Sequence, residues 1–273
     1  MQTHPRVSLS MLSHWNWTVD EDLAFYDREG VEVIGLSLAK MQAAGGWEPY
    51  VDRIRGGGYR VTNFVGLGPI PWSDPGQRAA GLTRTRDALD AAAAFGAECM
   101  ILTTGPAGSL TWEDAADAYV DTVGPVLEEY AGNGVRVTLE HTNGLRVDVG
   151  FLHTLHDAID FARRLGVGVG VCMEINACWA ERGLGATIVD GIDTIGIVQL
   201  SDFAIGTMST PNRLVPGDGD IPMERIVGQL LAAGYAGVFD LEMIGPRIEE
   251  EGYPSASTRA VEYVGALLTR LGA

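Results

Sequence analysis

Three glutamates and one glutamine stand at the ends of apolar, β-like runs in the second half of the chain. The glutamates are Glu140 in RVTLEH, Glu174 in GVGVCMEI and Glu242 in GVFDLEM, and the amide is Gln199 in GIVQLS. Carboxylates crowded in an apolar setting repel one another unless a cation neutralises them. Oxygen ligands of this kind suit a hard divalent ion such as Mg²⁺ or Mn²⁺. The pattern predicts a divalent-metal site. The simpler alternative is that each acid caps a helix or pairs with an arginine.

These four residues meet only if the runs that carry them are parallel strands of one sheet. Eight β-like runs alternate with amphipathic helical segments, at 7–12, 31–38, 60–67, 99–104, 136–141, 168–175, 196–201 and 237–243. Eight such units, crossing over right-handed, close most simply into a (β/α)8 TIM barrel. The competing doubly wound sheet usually has a glycine-rich turn after its first strand, and here Ser-His-Trp-Asn-Trp follows instead. We therefore predict one α/β domain, a barrel spanning residues 1–273.

Several helix boundaries are also readable from the sequence. Asp74-Pro75 predicts the start of a helix that runs through ALDAAAAFG, and Thr111 begins a segment with a capping-box pattern. Further helices are predicted at about 46–55, 153–164, after Pro222 and at 255–271. With a helix after each strand, the chemistry is expected at the carboxyl ends of the strands.

The charge balance excludes several classes of partner. The chain has 273 residues, 36 acidic and 19 basic, for a formal charge of -17, and Lys40 is its single lysine. Such a protein repels phosphate backbones and anionic membrane surfaces, so neither nucleic acid nor membrane is expected as a partner. No apolar run approaches the roughly 20 residues needed to cross a bilayer. The three cysteines lack metal-site spacing and indicate reduced thiols in a cytoplasmic protein.

Four separated passages resemble the xylose-isomerase-like TIM barrels, the sugar phosphate isomerase/epimerase superfamily. They are LEHTN (139–143), VQLSDF (198–203), PGDGDIP (216–222) and AGYAGVFDLEMIGP (233–246), and the resemblance extends over nearly the whole chain. It implies a divalent ion, with Co²⁺ and Zn²⁺ also tolerated, held by the residues that match the family's ligand positions. Those residues are Glu140, Glu174, Gln199 and Glu242. It also leaves a homo-oligomer as an option, because barrels of this kind commonly pair.

Three positions depart from the common family pattern. The usual aspartate is Glu174, the usual histidine ligand is Gln199, and a histidine often found three residues after the aspartate is Ala177. A glutamine at position 199 also resembles the bacterial 3-dehydroshikimate dehydratases of the same superfamily. The departures weaken the expected metal site and keep alternatives to an isomerase open.

Other side chains are candidates for contact with a substrate. Lys40, His14, Trp15, His141 and Asn176 all follow predicted strands. Arg213 is added by the resemblance, in which an arginine of this loop approaches the substrate. Asp202 and Asn143 could hydrogen-bond and orient a metal ligand. For each residue the alternative is a structural role such as a packed loop or a salt bridge.

The leading functional hypothesis is a metal-dependent isomerase or epimerase of a sugar-like polyhydroxy carbonyl compound. The reaction would pass through an enediolate, with Glu140 and Glu242 as both acid–base pair and metal ligands. One alternative is a metal-dependent lyase that resembles 3-dehydroshikimate dehydratase, and another is a degenerate barrel that acts as a binding protein. The apurinic endonuclease branch is disfavoured by five scattered histidines and the negative charge.

Overall fold

The computed structural model describes residues 4–66, 70–166 and 168–273. Within these residues eight parallel strands, β1 to β8, pair in sequence order, and β8 pairs with β1 to close the barrel. The strands are Val7–Ser10, Val33–Ser37, Arg60–Val65, Cys99–Thr103, Arg136–Glu140, Val169–Glu174, Ile195–Leu200 and Phe239–Leu241. The predicted (β/α)8 barrel is therefore confirmed. All eight predicted runs contain a strand, although residue 67 of the third run lies outside the described residues.

Helices cover the outside of the barrel. In the described residues, α1 to α11 are Val19–Glu29, Leu38–Ala43, Val51–Gly56, Pro75–Phe95, Trp112–Glu129, Leu155–Leu165, Ile175–Cys178, Leu184–Gly191, Met223–Ala232, Pro246–Glu251 and Tyr253–Arg270. Short 3-10 turns at Met11–His14 and Glu48–Tyr50 precede α1 and α3. None of these helices is long and apolar enough to cross a membrane.

Side-chain caps define several of these helix starts. The side chain of Asp74 accepts hydrogen bonds from the backbone of Gly76 and Gln77 while Pro75 occupies the first turn of α4, as predicted. Thr111 caps α5 through the backbone N–H of Asp114. Helix α2 was not predicted, because its residues continue an apolar run that resembles a longer strand. A serine at the end of β2 accepts from the backbone N–H of Lys40 and turns the chain there.

Two apolar cores hold the barrel together. The larger one packs the outer faces of the strands against the helices and continues around the described barrel. The smaller one comprises Cys99, Ile101, Cys172, Ile197 and Val238. Side chains alternate along a strand, so Cys172 lies on the same side of β6 as Glu174, and Ile197 on the same side of β7 as Gln199. The smaller core therefore fills the barrel interior beneath the polar strand ends.

Candidate active site

A cavity of about 560 Å³ opens at the carboxyl ends of the strands. The predicted site residues in its wall are Trp15, Glu140, Asn143, Glu174, Asn176, Arg213 and Glu242. Glu140 and Glu174 are the last residues of β5 and β6, and Glu242 directly follows β8. The closure of the barrel therefore brings these three carboxylates to one cavity. The volume is that of a site for a small organic molecule.

Arg213 joins two of the three carboxylates. Its Nη1 lies 2.8 Å from Oε2 of Glu174 and 2.8 Å from Oε1 of Glu242. It also donates to the backbone carbonyl of Glu242 at 2.8 Å. Burial lowers the pKa of Arg213, but the surrounding glutamates outweigh that effect and raise it overall. The arginine is thus a permanent cation at the centre of the site.

Glu174 both caps a helix and pairs with an arginine, the alternative to metal binding that the sequence left open. Its Oε1 accepts from the backbone N–H of Asn176 at 2.9 Å and caps the short helix α7. Burial raises the pKa of Glu174 to about 7, although Arg213 opposes this rise. A helix cap therefore holds Oε1, whereas Oε2 faces Arg213 in an ion pair and accepts no hydrogen bond in the described residues.

Gln199 lies beneath the cavity and is completely buried. Its Nε2 donates to Oε2 of Glu242, and its Oε1 accepts from the thiol of Cys172 at 3.2 Å. An ionised Glu242 requires this orientation, because a carbonyl oxygen facing a carboxylate would place two acceptors together. Gln199 therefore supports Glu242 from below and does not line the cavity.

Glu140 differs from the other two glutamates in its surroundings. It faces the cavity, and no side chain or backbone group in the described residues donates a hydrogen bond to its carboxyl group. Burial, followed by repulsion from Glu242 and Glu174, raises the pKa of Glu140 well above its usual range. The site therefore combines one carboxyl group without a donor, whose pKa is raised, with a second one that accepts hydrogen bonds from Arg213 and Gln199.

His14 and Lys40 lie outside the cavity wall. Nδ1 of His14 is 2.7 Å from Oδ1 of Asp22, and Nε2 is 2.8 Å from Oγ of Ser257. Lys40 Nζ contacts Oδ2 of Asp22 and donates to the backbone carbonyls of Met11 and His14. Asp22, His14 and Ser257 are 0–1% exposed and Lys40 is 9% exposed, so the cluster is almost completely closed to solvent. The predicted substrate contacts of His14 and Lys40 do not fit this placement, which instead anchors the β1 loop to α1 and α11.

His141 is also fully buried and does not line the cavity. It follows Glu140 on the strand, so its ring points to the opposite face, away from the barrel axis. Burial lowers its pKa to about 3. A direct role on the substrate does not fit this position.

The remaining predicted residues divide between the cavity and its supports. Trp15 forms part of the rim with 52% of its surface exposed. Asn143 accepts from the backbone of Leu145 and shapes the β5 loop. Asp202 lies outside the wall, and its carboxylate accepts from three backbone N–H groups of the loop after β7, those of Phe203, Gly217 and Ile221. Asp202 therefore organises the loop that carries Arg213.

Sequence reasoning missed Arg146 and Asp22. Arg146 lines the cavity and forms an ion pair with Asp148 at 3.0 Å. It lies three residues after the LEHTN passage, and this closeness to a strand end could have identified it as a candidate for the cavity. Asp22 falls on the apolar face of α1 with Val19, Leu23, Phe25 and Tyr26. An acid at that helical spacing indicates a buried partner.

The donor set does not fit a divalent ion as it is arranged. In the described part of the chain, no group of three or more His, Cys, Asp or Glu side chains is placed to hold one. Arg213 occupies the space between Glu174 and Glu242, and the amide nitrogen of Gln199, which is not a metal donor, faces Glu242.

The comparisons with known proteins agree on the fold. A protein named inosose isomerase from Halalkalibacterium halodurans is 24% identical over 147 residues, and the match covers half of each chain. Protein SMc04130 from Sinorhizobium meliloti 1021 has a TM-score of 0.87 at 24% identity, covering 94% of this chain and 96% of that one. The IOLI protein, whose structure holds a zinc atom, has a TM-score of 0.83 at 14% identity, covering 97% and 99%.

A D-psicose 3-epimerase, solved in the presence of D-fructose, gives a TM-score of 0.77 at 16% identity, covering 98% of this chain and 100% of that one. The model of the family described as xylose isomerase-like TIM barrel matches residues 30–262. That range holds β2 to β8 and all three carboxylates. The chain therefore belongs to the xylose isomerase-like TIM barrel family.

Proposed function

We propose that the protein is an isomerase or epimerase of a sugar-like polyhydroxy carbonyl compound, with Glu140 and Glu242 as its acid–base pair. The observation that carries the proposal is a pair of carboxyl groups in one cavity with opposite surroundings. Glu242 accepts hydrogen bonds from Arg213 and Gln199, whereas Glu140 has no donor in the described residues and its pKa is raised by burial. Environments that separate two carboxyl groups in this way define an acid and a base. The names of the relatives, an inosose isomerase and a D-psicose 3-epimerase, support this class of substrate.

Glu242 is the base in this proposal and Glu140 is the acid. Arg213 and Gln199 both donate to Glu242, so that each of its carboxyl oxygens already acts as an acceptor. Glu242 removes the proton on the carbon next to the substrate carbonyl, and the electron pair of that bond forms the enediolate. Glu140, which enters from β5, returns a proton to carbon. Return to the same carbon from the other face is epimerisation. Return to the neighbouring carbon is isomerisation, in which the adjacent hydroxyl also passes its proton to the former carbonyl oxygen and itself becomes the new carbonyl.

The metal-dependent form of this reaction stays a prediction. Mg²⁺ or Mn²⁺, or else Co²⁺ or Zn²⁺, would have to displace Arg213 before it reached both Glu174 and Glu242. Loss of activity after treatment with a chelator, restored by one of these ions, would support that form. No step above depends on it.

Hydrogen exchange at carbon tests the proposed function directly. Ketoses and cyclic polyol ketones would be incubated with the protein in deuterium oxide, and deuterium incorporation and products followed by NMR. We expect exchange with at least one substrate and its loss in Glu242→Gln. Glu140→Gln should lose product formation, while exchange by Glu242 on its own face of the substrate can persist. Glu250→Gln, an exposed change outside the cavity, is the matched control. Full activity of Glu242→Gln would refute the assignment.

A lyase is the second candidate, and Gln199 is the observation that favours it. The same enolate could expel a β-hydroxyl group instead of accepting a proton at carbon. Ala177, however, lines the cavity where many members of the family carry a histidine that could protonate the leaving group. Loss of water with new ultraviolet absorbance would identify a lyase. Ligand binding without exchange or turnover would identify the binding-protein alternative.

A further inference from the structure

Arg213 is held in the site by its backbone as well as by its side chain. Its N–H donates to the carbonyl of Ile244 at 3.0 Å, in the segment that follows Glu242. The next residue, Leu214, pairs with Asp202 through two backbone hydrogen bonds of 2.9 Å. The backbone of Arg213 is therefore fixed on two sides. The segment after β8 holds it through Ile244, and the start of the loop after β7 holds its neighbour Leu214 through Asp202.

The loop after β8 packs closely against the backbone of the segment that carries Arg213. A Cβ atom on Gly245 would lie 2.9 Å from the backbone nitrogen of Arg213 and 2.9 Å from Cα of Asn212. Both neighbours are backbone atoms that cannot rotate away. Arg213 is also only 15% exposed, so water competes little for its donors.

The three oxygens around Nη1 are those that a bound cation would use. Nη1 donates hydrogen bonds to the two oxygens of Glu242, and its contact with Glu174 is an ion pair without a hydrogen bond. Oε2 of Glu174, Oε1 of Glu242 and the carbonyl oxygen of Glu242 all lie 2.8 Å from this one nitrogen. Gln199 presents its amide nitrogen to the remaining oxygen of Glu242. Of the four predicted ligands, Glu174, Glu242 and the oxygen of Gln199 are engaged in this way. Glu140 alone among them has no donor in the described residues, and one carboxylate is too few to hold a divalent ion.

We propose that Arg213 takes the place of a divalent ion as the fixed cation of this site, so that the protein works without a metal. The chemical role of the arginine depends on the function proposed above. When Glu242 removes the proton, the C–H electron pair forms the C=C bond and the carbonyl π pair moves to oxygen. Arg213 is the cation beside the negative charge on that oxygen, and the charge disappears when Glu140 returns a proton to carbon.

Manganese binding tests the identity of the cation without any assay of turnover. The probe is Mn²⁺ alone, with free Mn²⁺ counted by electron paramagnetic resonance after treatment of the protein with a chelator. We expect weak binding by the unaltered protein. Arg213→Met frees the glutamates and keeps an unbranched side chain, so its affinity for Mn²⁺ should rise at least about tenfold.

Two further variants test whether Mn²⁺ binds where the Arg213 side chain was, or binds more tightly only because the protein has lost a positive charge. Arg146→Met removes a cation from the same cavity. Arg146 pairs with Asp148 and forms no hydrogen bond or ion pair with the three glutamates in the described residues, although its charge acts on Glu140. The affinity of this variant for Mn²⁺ should stay within about twofold of the unaltered protein, as expected for a screened surface charge. Adding Glu174→Gln to Arg213→Met should abolish the gain.

The unaltered protein provides a test that needs no variant to fold. We expect no stoichiometric divalent ion by elemental analysis, and carbon exchange that persists in excess chelator. A tightly held ion in the unaltered protein, or no gain in Arg213→Met relative to Arg146→Met, overturns the inference. Exchange that requires a metal overturns it while the proposed function stands. Absence of exchange with every substrate contradicts the proposed function and leaves the manganese result to decide the cation.

Discussion

Replacement of Asp22 by asparagine tests whether the buried cluster of Asp22, His14, Lys40 and Ser257 stabilises the fold. The Asp22 side chain has no exposed surface, and it serves Nδ1 of His14 and Nζ of Lys40 with separate oxygens. Burial lowers the pKa of His14, so the neutral ring donates from Nδ1 and accepts from Ser257 at Nε2. Asp22 is therefore the counter-charge of Lys40. An asparagine has one acceptor oxygen and no charge, so Lys40 loses its ionic partner.

The structure sets the size of the expected loss. Removal of one partner from a buried ion pair costs about 3–5 kcal/mol of unfolding free energy. Lys40 keeps the backbone carbonyls of Met11 and His14, at 3.1 and 2.9 Å, which places the expected cost near the lower end. We therefore expect Asp22→Asn to lose about 3 kcal/mol, a large share of the roughly 5–15 kcal/mol typical of a folded protein.

Urea unfolding followed by circular dichroism measures this loss. Asp20→Asn is the matched control, because Asp20 lies on the same helix and pairs with Arg53 while 67% of its side chain is exposed. The control should change the unfolding free energy by less than about 0.5 kcal/mol. A loss below about 1 kcal/mol in Asp22→Asn would refute the stabilising role of the cluster. Unchanged stability with lost activity would return Lys40 to the candidates for substrate contact.

Three further outcomes follow from individual side chains. Glu140→Gln should lower kcat by about 10²–10⁴ without loss of stability, because the amide matches the neutral acid, and steady-state kinetics with thermal unfolding would show both. His141 has a pKa of about 3 when folded, below the ordinary 6.5, so its contribution is complete above pH 6.5 and is lost as the pH falls towards 3. His141→Leu should therefore flatten the pH dependence of unfolding free energy between pH 6.5 and 4, and an unchanged slope would contradict this origin. Gly245→Ala should lower Tm and weaken the Arg213 contacts, since its Cβ would meet backbone atoms at 2.9 Å. Gly206→Ala, also at positive φ but with no atom within 4 Å, is the control and should lower Tm less.

The barrel was predictable because its strands obey a local rule. Parallel strands buried on both faces appear as short runs of Val, Ile and Leu, and each predicted run contains one. Alternation along those runs also placed Glu140 and Glu174 at strand ends that face the axis. Helix α2 was missed because Ser37 ends β2 with a side-chain cap that the apolar pattern does not reveal.

Residues in loops were less predictable, because no periodicity defines where their side chains point. Lys40 and His14 follow strands and were expected in the cavity, yet both are held by Asp22. Their partner is Asp22 on α1, and the sequence indicates it only by placing an acidic residue on the apolar face of that helix. Trp15, one residue after His14, does reach the cavity rim.

The sequence by itself determined that three carboxylates and one amide meet at the mouth of a barrel, because closure of eight parallel strands brings their carboxyl ends together. Only the tertiary structure decided which cation those carboxylates share. Arg213 reaches them from the loop after β7 through the pairing of Asp202 with Leu214 and the approach of Gly245. Such contacts join segments that are distant along the chain, and they depend on hydrogen bonds that no local pattern encodes.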